Sequence, residues 1–412
     1  MRNVTVSVAV PILSILCACS SKPDEQAGPA NLTALPIIAS TGSGEAHLAY
    51  AEETGAVLSW QEFDEPDYLL RFSRFDDGQW TPPSTIARGD DWFINWADFP
   101  SVVPISADTW IAHWLVNKPD NFGAYDIVTA ISADAGTTWA APTTLNADDT
   151  ATEHGFVTLF SWDGDIGAVW LDGRNLVDWS IEEPLRDGVP LGVSLRYARM
   201  SNDGRVLERA EIDELVCDCC QPDVAVTSQG PIVTYRDRTA DEIRDIVVRR
   251  LDGARWLEPV GLGPDNWEIA GCPVNGPAIA ASGNEVAVAW FTAADNEPRV
   301  RFARSTDSGV SFGAAIDVDA EGAFGHADVA MVDDGAAVVS WWRRHEGGDI
   351  ALAARRIEAD GSFGDIRVVA VNDVAQPLDV PQMISTGSGL IFAWTSLAES
   401  YGVRTAYAEN WP

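Results

Sequence analysis

One short pattern, two small or apolar residues followed by an aromatic, returns seven times along the chain. It reads Leu58-Ser59-Trp60, Ala112-His113-Trp114, Ala168-Val169-Trp170, Val233-Thr234-Tyr235, Val288-Ala289-Trp290, Val339-Ser340-Trp341 and Phe392-Ala393-Trp394. Successive aromatics stand between 51 residues (Trp290 to Trp341) and 65 residues (Trp170 to Tyr235) apart. Such a period means that one supersecondary unit is copied and that no copy buries its apolar face alone. Each copy follows an apolar run and a polar turn, as Ser101-Val102-Val103-Pro104-Ile105 precedes Ser106-Ala107-Asp108. A third run comes after it, such as Asp126 to Ile131, and usually a fourth, such as Thr143-Thr144-Leu145. Four short strands per repeat, separated by Gly, Asp and Asn turns and with no helical apolar period, predict an all-β propeller of four-stranded antiparallel blades. Seven blades are expected, with six as the alternative if the first or last copy is misread. The last copy ends at Pro412 after three strands. Leu35-Pro36-Ile37-Ile38-Ala39 is expected to add the fourth and close the ring, which removes the exposed edges.

A second repeat sits between the third and fourth strands. Ser132-Ala133-Asp134-Ala135-Gly136-Thr137-Thr138-Trp139 and Ser305-Thr306-Asp307-Ser308-Gly309-Val310-Ser311-Phe312 both fit S-x-D-x-G-x-x-W/F, the Asp-box. Degenerate copies run Asp76 to Trp80, Ser201 to Gly204, Asp252 to Trp256 and Asp360 to Phe363. At such a turn the Asp accepts backbone N–H groups, the Gly takes a positive φ and the aromatic packs on the blade. On these motifs the chain resembles the sialidase-like (Asp-box) β-propeller superfamily over nearly all of residues 32–412. The resemblance speaks to fold, and function must be read from a site.

The N-terminus is read as a bacterial lipoprotein leader. Arg2 precedes an apolar stretch from Val4 to Leu16 that is too short to span a bilayer as a stable helix. Leu16-Cys17-Ala18-Cys19 resembles a lipobox, which implies residues 1–18 as signal peptide and lipidation at Cys19. Residues 19–31 have tether composition. An outer-membrane lipoprotein, periplasmic or surface-facing, is expected. The 27 basic against 62 acidic residues give a net charge of −35, which excludes nucleic acid as a partner because phosphate binding relies on Lys and Arg.

In an antiparallel blade, the loop entering the first strand and the loop leaving the second open on one face. The resemblance implies that a ligand site lies on that face, over the central axis. The entries hold Asp98, Glu153-His154, Cys217-Asp218-Cys219-Cys220-Gln221, Cys272-Pro273-Val274-Asn275, His326 and Asp379. Cys217, Cys219, Cys220, Cys272, His154 and His326 therefore form a candidate metal set, suited to a soft ion such as copper or zinc. Two structural disulfides are the alternative in an oxidising compartment. The exits hold Arg174, Arg236, Arg238, Arg343 and Arg344, which with Asp98 make a candidate ligand-binding set, since Arg pairs carboxylates bidentately. Local pairing with Asp172, Asp237 or Asp349 is the competing reading.

Sialidases hold their substrate carboxylate with three arginines and use a Tyr nucleophile with a Glu partner and an Asp acid–base. Asp98-Phe99-Pro100 lacks the Arg of the early Arg-Ile-Pro-like motif, and Tyr401 with Glu399 is the one pair that fits the nucleophile. Trp92, Trp96, Trp179 and Trp267 lie outside the repeat and are candidates for a sugar-facing surface. The insertion from Asn175 to Leu195 is expected to overhang the same face. Three functions follow: an envelope-anchored binding propeller holding a metal ion or anionic ligand at its axial mouth, a sialidase-type glycoside hydrolase, or a protein-interaction scaffold stapled by disulfides. A small anion, a glycan, a metal or a protein is the expected partner.

Overall fold

The computed structural model describes residues 32–119, 123–177, 185–186, 189–372, 374–377, 379–397, 401–409 and 411. The expected leader, Cys19 and the tether fall outside these residues, as do Trp179 and Glu399. Seven four-stranded antiparallel sheets are arranged as a β-propeller. Blade 1 has Gly44–Ala51, Gly55–Asp64, Asp67–Asp76 and Ser84–Gly89; blade 2 has Ser101–Pro104, Trp110–Asn117, Tyr125–Ser132 and Thr143–Thr144. Blade 3 has His154–Trp162, Asp165–Asp172, Val193–Met200 and Val206–Val216; blade 4 has Asp223–Thr227, Gly230–Arg236, Ile246–Asp252 and Val260–Gly261. Blade 5 has Ala278–Ser282, Glu285–Thr292, Arg299–Ser305 and Ile316–Asp319; blade 6 has Ala323–Met331, Ala337–Arg344, Ile350–Ile357 and Arg367–Asn372. Blade 7 has Gln382–Ser385, Leu390–Ser396 and Gly402–Ala408, and its fourth strand comes from the N-terminal side.

That closing strand is Leu32–Ala34, three residues earlier than the sequence suggested, with Leu32 opposite Ala408 and Ala34 opposite Ala406. Leu35 still donates its N–H to Thr405 O at 3.0 Å. Pro36 has no N–H to continue the ladder, so pairing stops there.

The second strands explain the aromatic repeat. Each is enclosed by neighbouring blades on both faces, so it reads as a run of buried residues rather than an alternation. Trp60, Trp170, Tyr235, Trp290 and Trp341 are each at most 1% exposed. Small neighbours such as Ala168, Ala287 and Ala289 let adjacent blades approach around these large rings.

The Asp-box turns adopt the expected geometry. Asp134 Oδ1 accepts the Thr138 N–H at 2.8 Å, and Ser132 Oγ accepts that of Gly136 at 2.9 Å. Asp307 and Ser305 repeat both bonds with Ser311 and Gly309 at 2.9 Å each. Gly136 and Gly309 take φ of +80° and +77°. A Cβ there would also press within 2.7 Å of Phe72 and 2.2 Å of Ile232 in the preceding blades, so each Gly serves the turn and the blade seam together.

Candidate functional site: the axial mouth

The entries to the innermost strands follow two designs. In blades 2, 5 and 7 an Asp or Asn stands two residues before a proline, as Asp98-Phe99-Pro100, Asn275-Gly276-Pro277 and Asp379-Val380-Pro381; blade 4 has Cys220-Gln221-Pro222 there. In blades 1, 3 and 6 the strand starts earlier and carries a bulge, with Glu45, Phe156 and His326 at φ of +53°, +53° and +54°. Positive φ at three large non-Gly residues is strain held by the surrounding structure.

Bonds run from blade to blade through these entries, and two of them hold Phe156 and His326. Asp98 Oδ1 accepts the Phe156 N–H at 2.6 Å, and Asn275 Oδ1 accepts that of His326 at 2.7 Å. Asp223 Oδ2 accepts the Ile279 N–H at 2.9 Å, and Asp328 Oδ2 that of Met383 at 2.6 Å. Gln221 Nε2 donates back to Val157 O at 3.0 Å. Asp98 is therefore a seam residue and not a ligand contact, because both its oxygens are taken, the second by Tyr125 Oη at 3.1 Å. Burial raises Asp98, Asp223 and Asp328 to about 7 against the pull of the N–H donors.

Inside this ring lies one cavity of about 700 Å³, counted to its open mouth, to which all seven blades contribute. His47, Phe99, Phe156, Gln221, Gly276, His326 and Gln382 represent blades 1 to 7 in order. Among the described residues no Lys or Arg lines it, and its charged groups are the carboxyls of Asp223 and Asp328. Burial lowers both His47 and His326 to about 4, so both imidazoles are neutral. Among the described residues His47 Nδ1 is buried with no hydrogen-bond partner. Trp96, 37% exposed, meets His326 edge-on with centroids 5.5 Å apart, whereas Trp92 and Trp267 are core residues.

The cysteines do converge. Cys217 Sγ lies 2.6 Å from Cys220 Sγ and 3.9 Å from Cys219 Sγ, and Cys219 is disulfide-bonded to Cys272. Cys217, Cys219 and Cys220 form a three-sulfur group with the spacing a metal would need, yet Cys219 is engaged in the disulfide, so two thiols remain. His154 and His326 do not join them. His154 stands in another group with Asp148 and Asp172. Its Nδ1 lies 3.0 Å from the Tyr125 carbonyl, which can only accept, so that nitrogen carries a proton. Its Nε2 faces Asp148 Oδ2 at 3.2 Å, and Arg174 binds the same carboxylate at 2.8 Å. A guanidinium already occupies the place where a cation would bind.

The arginines are also accounted for. In five blades the repeat aromatic donates to an acid that an Arg binds as well. Trp60 donates to Glu62 at 2.7 Å, Trp170 to Asp172 at 2.8 Å, Tyr235 to Asp213 at 2.7 Å, Trp290 to Asp265 at 2.8 Å and Trp341 to Asp319 at 2.9 Å. The arginines on these acids are Arg71, Arg174, Arg249, Arg301 and Arg343. Arg174 and Arg343 are thus members of a structural repeat. Arg238 is held by Glu242 at 2.6 Å. Arg344, exposed, lies 5.1 Å over the Phe324 ring. Arg236, 1% exposed, gives its protons to the carbonyls of Asn275, Phe291 and Arg244 and lies over Trp267 at 4.9 Å. Four of the five are engaged in structural bonds, and Arg344 stands apart from them on the surface.

Two features escaped the sequence reading. The aromatic–acid–arginine tie is linear only in blade 3, as Trp170-Leu171-Asp172-Gly173-Arg174, and elsewhere draws on more than one strand, so its spacing varies from blade to blade. The residue-x-Pro entries were visible as a repeat, but only the inter-blade bonds reveal what they do.

The chain matches no family model and no curated protein. Among solved structures it is similar to a protein of unknown function from Dyadobacter fermentans, at 14% identity and TM-score 0.51 over 92% of this chain and 98% of that one. An ulvan lyase of polysaccharide lyase family 25, bound to -[GlcA(1-4)Rha3S]-, gives TM-score 0.56 at 12% identity over 90% of this chain and 95% of that one. A sialidase from Streptococcus pneumoniae gives TM-score 0.46 at 8% identity over 92% and 94%. With seven four-stranded antiparallel blades, the chain has a seven-bladed β-propeller fold, with Asp-box turns in blades 2 and 5.

Proposed function

We propose that this protein is an envelope-anchored binding propeller that holds an uncharged, hydroxyl-rich ligand, a glycan segment, in its axial mouth. The observation that carries the reading is the cavity built by all seven blades, in which aromatic rings and polar side chains stand beside the buried carboxyls of Asp223 and Asp328 and, among the described residues, no cation. Phe99, Phe156 and the rim Trp96 offer faces for sugar C–H groups. Gln221, Gln382 and the neutral His47 and His326 offer donors and acceptors for hydroxyls. The unpartnered His47 Nδ1 is the type of group that a ligand hydroxyl or a water satisfies. An anionic ligand has less support, since the cavity is lined by Asp223 and Asp328 and four of the five candidate arginines are engaged in structural bonds. Titrating the purified protein with neutral and sialylated oligosaccharides tests the reading. Neutral sugars should bind and Trp96→Ala should weaken them about tenfold, as loss of one good contact does. Binding restricted to sialylated sugars, or unchanged by Trp96→Ala, would contradict it.

One observation favours a hydrolytic alternative. Glu45 is raised to about 7 by burial and then by the nearby Asp379, and Tyr401 lies close enough to feel both. A carboxyl half-protonated at neutral pH suits a general acid. On that reading, turnover of a fluorogenic glycoside is lost in both Glu45→Gln and Tyr401→Phe; absence of turnover in the unaltered protein rules it out.

A further inference from the structure

The four cysteines differ in a way that two structural staples would not need. Cys217 and Cys220 are 1% exposed and carry thiols, Cys219 is 9% exposed, and Cys272 is exposed in the loop entering blade 5. A buried dithiol therefore lies directly beneath a disulfide whose outer sulfur meets solvent. The spacing Cys217-Asp218-Cys219-Cys220 puts both thiols and one disulfide sulfur in a single turn. That turn is fixed at its start, where the Cys217 N–H bonds to Arg236 O at 3.0 Å. Arg244, itself 3% exposed, points Nη1 at Cys217 Sγ from 3.5 Å and holds the intervening Asp218 at 3.0 Å. A guanidinium N–H aimed at a sulfur favours the thiolate there, and thiolate is the attacking species in exchange.

We infer that the four cysteines form a thiol–disulfide relay, in which the buried Cys217/Cys220 pair reduces the surface Cys219–Cys272 disulfide and so delivers two electrons to an external disulfide. In the first step Cys217 thiolate attacks Cys219 Sγ, 3.9 Å away. The Cys217–Cys219 bond forms, the Cys219–Cys272 bond breaks, and Cys272 leaves as a thiolate that takes a proton from solvent. In the second step Cys220 loses its proton to the departing Cys219 sulfur and attacks Cys217 Sγ, from which it stands 2.6 Å. The products are a Cys217–Cys220 disulfide and thiols at Cys219 and Cys272. Two electrons and two protons have moved outward, and atoms balance without any other reactant. An external disulfide of a small thiol or a protein, reaching the exposed Cys272, is then reduced to two thiols as Cys219–Cys272 re-forms. Burial of Cys217 and Cys220 keeps them from direct reaction with such a partner, so Cys272 is the gate.

Two measurements on the purified protein test the relay. Native protein is treated with a maleimide, and its disulfides are then mapped by mass spectrometry without reduction. The relay predicts progressive labelling of Cys272 with a Cys217–Cys220 disulfide appearing in step, and labelling slowed by about tenfold or more in Cys217→Ser. In Cys220→Ser the second step is blocked, so the Cys217–Cys219 intermediate should accumulate with Cys272 labelled. An intact Cys219–Cys272 bond and unlabelled Cys272 in the unaltered protein overturn the relay, whatever the variants do. Four thiols retained on stoichiometric copper or zinc overturn it also, in favour of a metal site.

Discussion

Asp98 of blade 2 accepts the backbone N–H of Phe156 in blade 3 at 2.6 Å, and Gly155 leaves the room for it. A Cβ on Gly155 would fall 1.9 Å from Asp98 Oδ2. Removing the acceptor leaves a buried N–H unsatisfied, so Asp98→Ala should cost about 1–3 kcal/mol. Gly155→Ala should cost more in the native background than in Asp98→Ala, because the clash partner is then gone. A double-mutant cycle by urea denaturation measures that coupling.

The acids at the mouth set a pH dependence with a definite sign. Asp98, Asp223 and Asp328 rise by burial to about 7 in the folded protein. In the unfolded chain they ionise near pH 4. Their contribution to stability is complete below pH 4 and is lost as pH rises from 4 through 7, because over that window the folded state binds more protons. Neutral His47 and His326, lowered to about 4, act in the opposite sense between pH 4 and 6.5, so the acids' contribution is read as the difference between the unaltered protein and a variant denatured at the same fixed pH values. Asp328→Asn should flatten the decline by up to about 1.4 kcal/mol per pH unit.

Arginine substitutions should separate cleanly by burial. Arg236 satisfies three backbone carbonyls at once, which a lysine ammonium on a single point cannot reproduce. Arg236→Lys should cost on the order of 3 kcal/mol. Arg344→Ala, at an exposed position, should stay within about 0.5 kcal/mol. Thermal or urea unfolding of the two variants checks the contrast, and equal losses would contradict the structural role given to Arg236.

The fold was legible because its determinants are local. Each blade repeats an aromatic on its second strand and a turn before its fourth, and both Asp-box glycines mark positive φ in sequence as in structure. The closing strand was placed three residues late because the apolar pattern of Leu35 to Ala39 outweighed the missing N–H of Pro36. The site was less legible for a physical reason. Equivalent positions in successive blades share a face, but a side chain's partner is chosen by the seam it meets. His154 therefore turned to Asp148 and Tyr125 instead of the cysteines, and Asp98 turned to Phe156 N–H instead of the cavity. The cysteines alone were brought together as expected, since Cys217, Cys219 and Cys220 share one turn and Cys272 enters the adjacent blade. Of the arginines after the repeat aromatics, Arg174 pairs with Asp172 two residues before it, as the competing reading had it, whereas Arg343 meets Asp319 from the preceding blade and Arg236 meets backbone carbonyls.

On the proposed function, the axial cavity between His47 and Gln382 receives the ligand. A crystal of the protein grown with a neutral oligosaccharide that it binds in solution tests this most directly. The account predicts sugar density on the propeller axis, against Trp96 and within hydrogen-bond distance of His47, Gln221 or Gln382. Density confined to the Asp-box face, or an ion seated among Cys217, Cys219 and Cys220 with the axial cavity empty, would contradict it.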